Sequence, residues 1–336
     1  MLVRIFSLVV LSFLGWLIFK PLRLKPLMSA RPKPVSDYNT ALQRIETLRL
    51  RDTTDLQPLC RLELLTHGHK TDQAIVFWHG FTSCPRQFHD LGQIFFELGY
   101  NVLIPRLPHH GLADRLGPDQ LHLTAEQLVA LANEVVDLAH GLGQRITVVG
   151  FSAGGVVAGW VAQYRPDVAQ VVIIAPSFGL KVIPLPLATL TVKLLLTWPN
   201  TFQWWDPRLT TRAPGPPYGY FRFSTRALGQ ILRLGLAVRT AARQSGPAVG
   251  SILLVTNQND WAVHNPLATQ IAAHWRSHGG QVQSYEFAAE LNLLHDLFPL
   301  EYPRQRVDLV YPIFVDLMCR TNQAGQSGWI TADHVE

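Results

Sequence analysis

Cysteine and charge are both scarce in this chain of 336 residues. Three cysteines (Cys60, Cys84 and Cys319), odd in number and without metal or redox spacing, give no readable disulfide framework and leave the compartment open. Charged residues make up 16% of the chain against 48% apolar, which excludes disorder of the whole chain and leaves ample material for a large core. Acid is missing altogether from residues 1–33, which carry Arg4, Lys20, Arg23, Lys25, Arg31 and Lys33, while the remainder holds 23 basic against 24 acidic residues. The net charge of +5 therefore sits beside an apolar run, where an anionic membrane surface is the better counter-ion and a nucleic-acid partner is set aside. No internal repeat is visible.

What is present begins with IFSLVVLSFLGWLIF, fifteen uncharged residues between Arg4 and Lys20. With Leu2 and Val3 included, the run reaches roughly 27 Å as a helix, enough for a thin bilayer. KPLRLKP follows where a signal-peptidase site would need small residues, so an uncleaved anchor over 1–19 is expected. A cleaved signal and a buried helix stand as alternatives. The basic residues after the run exceed the one before it, which predicts a cytoplasmic body by the positive-inside rule; export after cleavage is the alternative. Pro21, Pro26, Pro32 and Pro34 make residues 20–36 read as a stiff extended tether, so that removing residues 1–34 should leave the body intact.

From about residue 61, apolar runs alternate with amphipathic stretches, the pattern of an α/β fold with a mostly parallel, doubly wound sheet. AIVFWHG (74–80), NVLIP (101–105), RITVVG (145–150), VVIIAP (171–176), SILLVT (251–256) and QVQSYEF (281–287) are the expected strands. Thr124 and Gln127 form a capping box before Leu128, Leu131, Val135 and Leu138, and Gly141 is expected to close that helix. Residues 180–250 are too long for one crossover and rich in Trp and Tyr, and read as an inserted cap. The chain thus divides into an anchor (1–19), a Pro-rich tether and lead-in (20–60), a core (61–179 and 251–319), the cap (180–250) and a polar tail (320–336).

Chemistry concentrates at Gly150-Phe151-Ser152-Ala153-Gly154, between a strand and a helical stretch. A G-x-S-x-G segment there puts a serine nucleophile on a strained turn whose flanking positions have no room for side chains. Such a serine needs a base and an orienting acid, following in the order Ser, acid, His. Asp260 lies in the loop after SILLVT and His295 in the loop after QVQSYEF, both at carboxyl ends of strands, where ligand-facing groups collect. Glu286, Glu290 and Asp296 compete as the acid but lie outside the loop that follows the preceding strand; His264 is the competing base. Two N–H donors for an oxyanion are expected from Ala153 and from Phe81, in the loop His79-Gly80-Phe81-Thr82. His67-Gly68-His69 and His109-His110 lack further ligands at useful spacing, so no metal is expected, and Cys84 reads as a buried thiol.

HGFTSCPRQF, PRLPHHGL, GFSAGG, the Asp260 segment and LLHD around His295, taken in order over residues 61–319, resemble the α/β-hydrolase superfamily. The similarity is strongest to its bacterial carboxylesterase and monoacylglycerol-lipase-like members. The resemblance implies Ser152 as nucleophile, Asp260 and His295 as its partners, Phe81 and Ala153 as oxyanion donors, a cap over the site and no cofactor. The expected activity is hydrolysis of carboxylic esters, of apolar or monoacyl-lipid type, at a membrane. Thioesterase or acyltransferase chemistry on the same fold, or a non-catalytic membrane scaffold, are the rival readings.

Overall fold

The runs pair into one sheet because they carry β-branched residues, are long enough to span a layer and are for the most part apolar on both faces. The computed structural model describes residues 12, 15–17, 19–51, 55–207, 216–298, 306–321 and 329–330. Its strands are β1 (Glu63–Leu65), β2 (Thr71–Trp78), β3 (Asn101–Ile104), β4 (Gly143–Phe151), β5 (Gln170–Ile174), β6 (Phe202–Trp204), β7 (Arg222–Ser224), β8 (Ile252–Asn257), β9 (Val282–Phe287) and β10 (Trp329–Ile330). The main sheet has the order β1-β3-β2-β4-β5-β8-β9-β10, and every pairing in it is parallel except that of β1 with β3. The helices are α1 (Tyr38–Arg49), α2 (His89–Glu97), α3 (Ala125–Leu142), α4 (Ala153–Tyr164), α5 (Ala188–Thr197), α6 (Thr225–Ala242), α7 (Asn265–Ser277) and α8 (Val307–Thr321).

Alternation along each strand assigns its residues to two cores. Ala74, Val76, Trp78 and Val148 face α3, α4, α6 and α7, whereas Ile75, Phe77 and Val149 face α2 and α8. The sheet is therefore covered on both sides, as a parallel sheet must be. The capping box of α3 is formed: Thr124 Oγ1 accepts from the Gln127 N–H at 3.2 Å and Gln127 Oε1 from the Thr124 N–H at 2.8 Å. Gly141, however, lies inside that helix. A Cβ there would come within 2.5 Å of Ala41 Cβ, so this glycine permits close packing of α1 and does not end α3.

The N-terminal segment differs from expectation beyond residue 19. Most of the expected anchor, residues 1–19, lies outside the described residues, and among the described residues no helix is long and apolar enough to cross a membrane. The Pro-rich stretch after it is no free tether but a strap fastened along the body. Leu27 is fully buried in the main core, Trp160 Nε1 donates to Leu27 O at 2.6 Å, and Arg233 Nε donates to Arg23 O at 3.2 Å. Farther on, the N–H groups of Arg31, Lys33 and Val35 donate to Asn133 Oδ1, Asp137 Oδ1 and Asp137 O. Proline stiffness extends the segment, and α3, α4 and α6 supply the partners for its backbone.

The stretch 180–250 holds two unlike parts. α6 belongs to the main core through Ala227, Ile231, Leu234, Ala237 and Val238. Among the described residues of 180–224, α5 and the antiparallel β6–β7 pair, joined at Phe202 and Ser224, stand outside that layer. A further departure is a disulfide between Cys60 and Cys84, where cysteine spacing gives no readable framework and Cys84 reads as a buried thiol. The two lie 24 residues apart, and only the fold of the lead-in over the loop after β2 brings them together beside Leu56 and Tyr218.

Candidate active site

The carboxyl edge of the sheet gathers four loops. Ser152 follows β4 and caps α4 with φ 55° and ψ −111°, a strained conformation for a residue with a side chain. The surrounding glycines make that turn possible. A Cβ on Gly150 would fall 2.1 Å from Gly154 O, and one on Gly154 would fall 2.1 Å from Trp78 O. The sharp turn lifts the Ser152 hydroxyl off the sheet toward the loops after β8 and β9.

Those loops deliver Asp260 and His295. His295 Nε2 lies 3.1 Å from Ser152 Oγ, and its Nδ1 lies 2.6 Å from Asp260 Oδ2. A carboxylate can only accept, so Nδ1 carries the proton and Nε2 presents its lone pair to the serine. The other oxygen, Asp260 Oδ1, accepts from the N–H groups of Ala262 at 2.8 Å and Val263 at 3.1 Å, which fixes the carboxylate. Asp260 is fully buried, whereas the His295 side chain keeps 16% exposure, so the carboxylate is shielded from solvent behind the imidazole. Such an arrangement can move a proton from Ser152 Oγ to His295 Nε2 and leave the resulting imidazolium beside a carboxylate.

The rival residues are engaged elsewhere. His264 Nδ1 accepts from the Leu267 N–H at 3.2 Å as the N-cap of α7. Glu286 accepts from Thr256 and Gln258, and Asp296 from Gln87 Nε2 at 2.9 Å. Phe81 and Ala153 lie on the two segments that border Ser152, and the Gly154 N–H donates to His79 O at 3.1 Å to hold those segments together. Among the described residues neither the Phe81 nor the Ala153 N–H donates to a protein group. Ala153 is the first residue of α4, where an unpaired N–H and the helix dipole favour negative charge.

Several supporting residues escaped the sequence reading. His79, fully buried, donates from Nδ1 to Gly80 O at 2.9 Å and accepts at Nε2 from the Leu107 N–H at 3.0 Å. Burial, with His110 alongside, holds its pKa well below the ordinary histidine value, so it works as a neutral brace. Gln87 accepts from the Gly80 N–H at 2.7 Å, which joins the Phe81 loop to Asp296 beside His295. Thr82, at φ 61°, accepts from the Tyr220 N–H at 2.9 Å and from Trp205 Nε1 at 3.0 Å, so the β6–β7 segment rests on the same loop. The disulfide at Cys84 anchors its far end. Ser177, after β5, lies with its Oγ 2.9 Å from Ser152 Oγ. A glutamine seven residues past a glycine, or a serine after a strand, carries no local signal for such roles. Among the described residues no group of three or more His, Cys, Asp or Glu side chains is placed to hold a metal ion.

Comparison with known proteins agrees with this architecture. A segment of 98 residues is 31% identical to the thermostable monoacylglycerol lipase of Bacillus sp. (strain H-257), covering 29% of this chain and 38% of that enzyme's length. The monoacylglycerol lipase of Paleococcus ferrophilus superposes with a TM-score of 0.56 at 16% identity, over 77% of this chain and 98% of that one. A soluble variant of the monoglyceride lipase of Saccharomyces cerevisiae, solved with a substrate analogue, gives 0.58 at 13% identity, over 79% and 92% of the two chains. Likeness at these identities shows the fold alone. The Alpha/beta hydrolase family matches residues 75–308, from β2 into α8 and across Ser152, Asp260 and His295, and the chain belongs to that family.

Proposed function

We propose that this protein is a serine hydrolase of carboxylic esters that works through an acyl-enzyme on Ser152. The observation that carries the reading is the unbroken hydrogen-bond chain Asp260–His295–Ser152, ending at a strained elbow. His295 Nε2 takes the Ser152 proton as Oγ attacks the ester carbonyl, and the N–H groups of Phe81 and Ala153 receive the oxyanion. His295 then protonates the departing alkoxide, and a water activated by His295 releases the acid. Asp260 holds the imidazole in the required tautomer throughout.

The substrate is an apolar, monoacyl-lipid-like ester held near a membrane. Three features support this choice. The partial sequence match is to a monoacylglycerol lipase. α5 and the residues that cap its two ends expose Leu194, Leu187 and Trp198. The strap emerges beside that helix, where Lys20 Nζ donates to Thr197 Oγ1 at 3.2 Å. An anchor over residues 1–19 would thus hold the cap side toward lipid, and residues 180–224 would form the cap over the site. The buried Cys60–Cys84 disulfide favours an oxidising compartment for the body over the cytoplasmic side that basic residues alone predict. A series of p-nitrophenyl esters from acetate to decanoate tests the substrate class. Each buried methylene contributes up to about 0.8 kcal/mol, so kcat/KM should climb over several carbons. A flat profile would leave a general esterase and remove the lipid.

A further inference from the structure

We propose that Ser177 is a further catalytic residue, a hydroxyl donor to Ser152 Oγ that assists expulsion of that oxygen when the acyl-enzyme breaks down. The inference rests on the acyl-enzyme reading and adds a group to its second half. Ser177 and Ser152 are both buried, at 7% and 6% exposure, and their Oγ atoms lie 2.9 Å apart. Their backbones are locked together as well, since the Ser177 N–H donates to Ser152 O at 3.0 Å. The segment that carries Ser177 leaves β5 through Ala175 at φ 40°, a second strained residue beside the elbow. Its approach is tight: a Cβ on Gly155 would meet Pro176 Cα at 3.0 Å.

Counting protons sets the direction of the Oγ–Oγ bond. His295 Nδ1 donates to Asp260, so Nε2 is an acceptor and the single Ser152 proton goes to it. Ser152 Oγ is then the acceptor from Ser177, whose proton has no competing acceptor within hydrogen-bond reach among the described residues. The bond changes strength along the reaction. In the resting enzyme it ends on a hydroxyl, and during attack that oxygen becomes an ester oxygen, a weaker acceptor. During deacylation water adds to the acyl carbon and gives a proton to His295 Nε2. The C–Oγ bond then breaks, its electron pair stays on Oγ, and Oγ takes the proton back from Nε2, leaving a carboxylic acid and the free serine. Negative charge grows on Oγ in that step, and the Ser177 proton, which stays on Ser177, faces it. A donor that binds more strongly in the transition state than in the ground state accelerates the step, so the contribution falls on deacylation and much less on acylation.

The test is rapid mixing of wild type and Ser177→Ala with a p-nitrophenyl ester, acid quench and intact-mass analysis, which follow acyl-enzyme formation and decay separately. Decay should slow about tenfold or more in Ser177→Ala, formation and fluorophosphonate labelling of Ser152 should stay within about threefold, and acyl-enzyme should accumulate. Ser177→Thr, which keeps a hydroxyl, should decay faster than Ser177→Ala. The proposal is overturned if decay slows less than about threefold more than formation, or if the Thr variant decays no faster than the Ala variant. Failure of the underlying reading looks different: wild type would then form no acyl-enzyme on Ser152 at all.

Discussion

Replacing Leu27 by alanine tests whether the Pro-rich segment is part of the folded body. Leu27 has no exposed surface and packs within the main core, and its carbonyl accepts from the buried Trp160 indole. A fully buried leucine cut to alanine loses transfer free energy and leaves a cavity, together about 2–5 kcal/mol. The lower half of that range applies here, because a strap that lies on the surface layer can settle into the gap, so about 3 kcal/mol is expected. In a body of this size that lowers Tm by roughly 4–6 °C. Leu50→Ala is the control, since Leu50 is 84% exposed and its loss should stay within about 0.5 kcal/mol. Denaturant unfolding gives both numbers through the midpoint at constant slope. Deletion extends the test: removing residues 1–19 leaves the strap and should spare hydrolysis of short soluble esters, whereas removal through residue 34 strips Leu27 from the core and should yield a destabilised protein. Equal midpoints for Leu27→Ala and Leu50→Ala would refute the strap.

Other outcomes follow from the site and its supports. Asp260→Asn and His295→Gln should each cost about 10³-fold or more in kcat with the fold intact, while His264→Gln loses a helix cap worth about 1 kcal/mol and keeps kcat within a fewfold. Paired replacement of Cys60 and Cys84 by alanine removes a cross-link spanning 24 residues, which the chain-entropy relation puts at about 3.5 kcal/mol; unchanged stability would show that the pair does not form. His110 is buried, and that burial lowers its pKa to about 4 against the usual 6.5. Its folded pKa lies below its unfolded one, so its contribution is complete above pH 6.5 and is lost as pH falls toward 4, by about 3 kcal/mol in all. His110→Gln should flatten the stability curve between those pH values, and an unchanged slope would count against the buried neutral imidazole.

Much of the architecture was legible because it is local. Six strands announced themselves as apolar β-branched runs, and each lies within a few residues of its expected place. Ser152, Asp260 and His295 could be named because turn chemistry and strand order place them, and the structure brings all three within hydrogen-bond reach. Contacts between segments far apart in sequence left no such mark. The strap binds through backbone groups that every residue possesses, which is why proline spacing alone suggested a free tether. Ser177 and Gln87 act through geometry supplied by neighbouring strands, and Cys60 reaches Cys84 only after the lead-in folds back. α6 was merged with the cap because its amphipathic pattern lies between two Pro-rich breaks, and burial against α4 is what separates it.

Intact-mass and peptide analysis after reaction with a fluorophosphonate tests the central claim most directly. Wild type should gain one phosphonyl group, carried by the peptide that contains Ser152, and Ser152→Ala should gain none while unfolding at the wild-type midpoint. Labelling of Ser152→Ala at the wild-type rate, or an adduct on any other residue of the native protein, would contradict the assignment of the nucleophile and with it the mechanism.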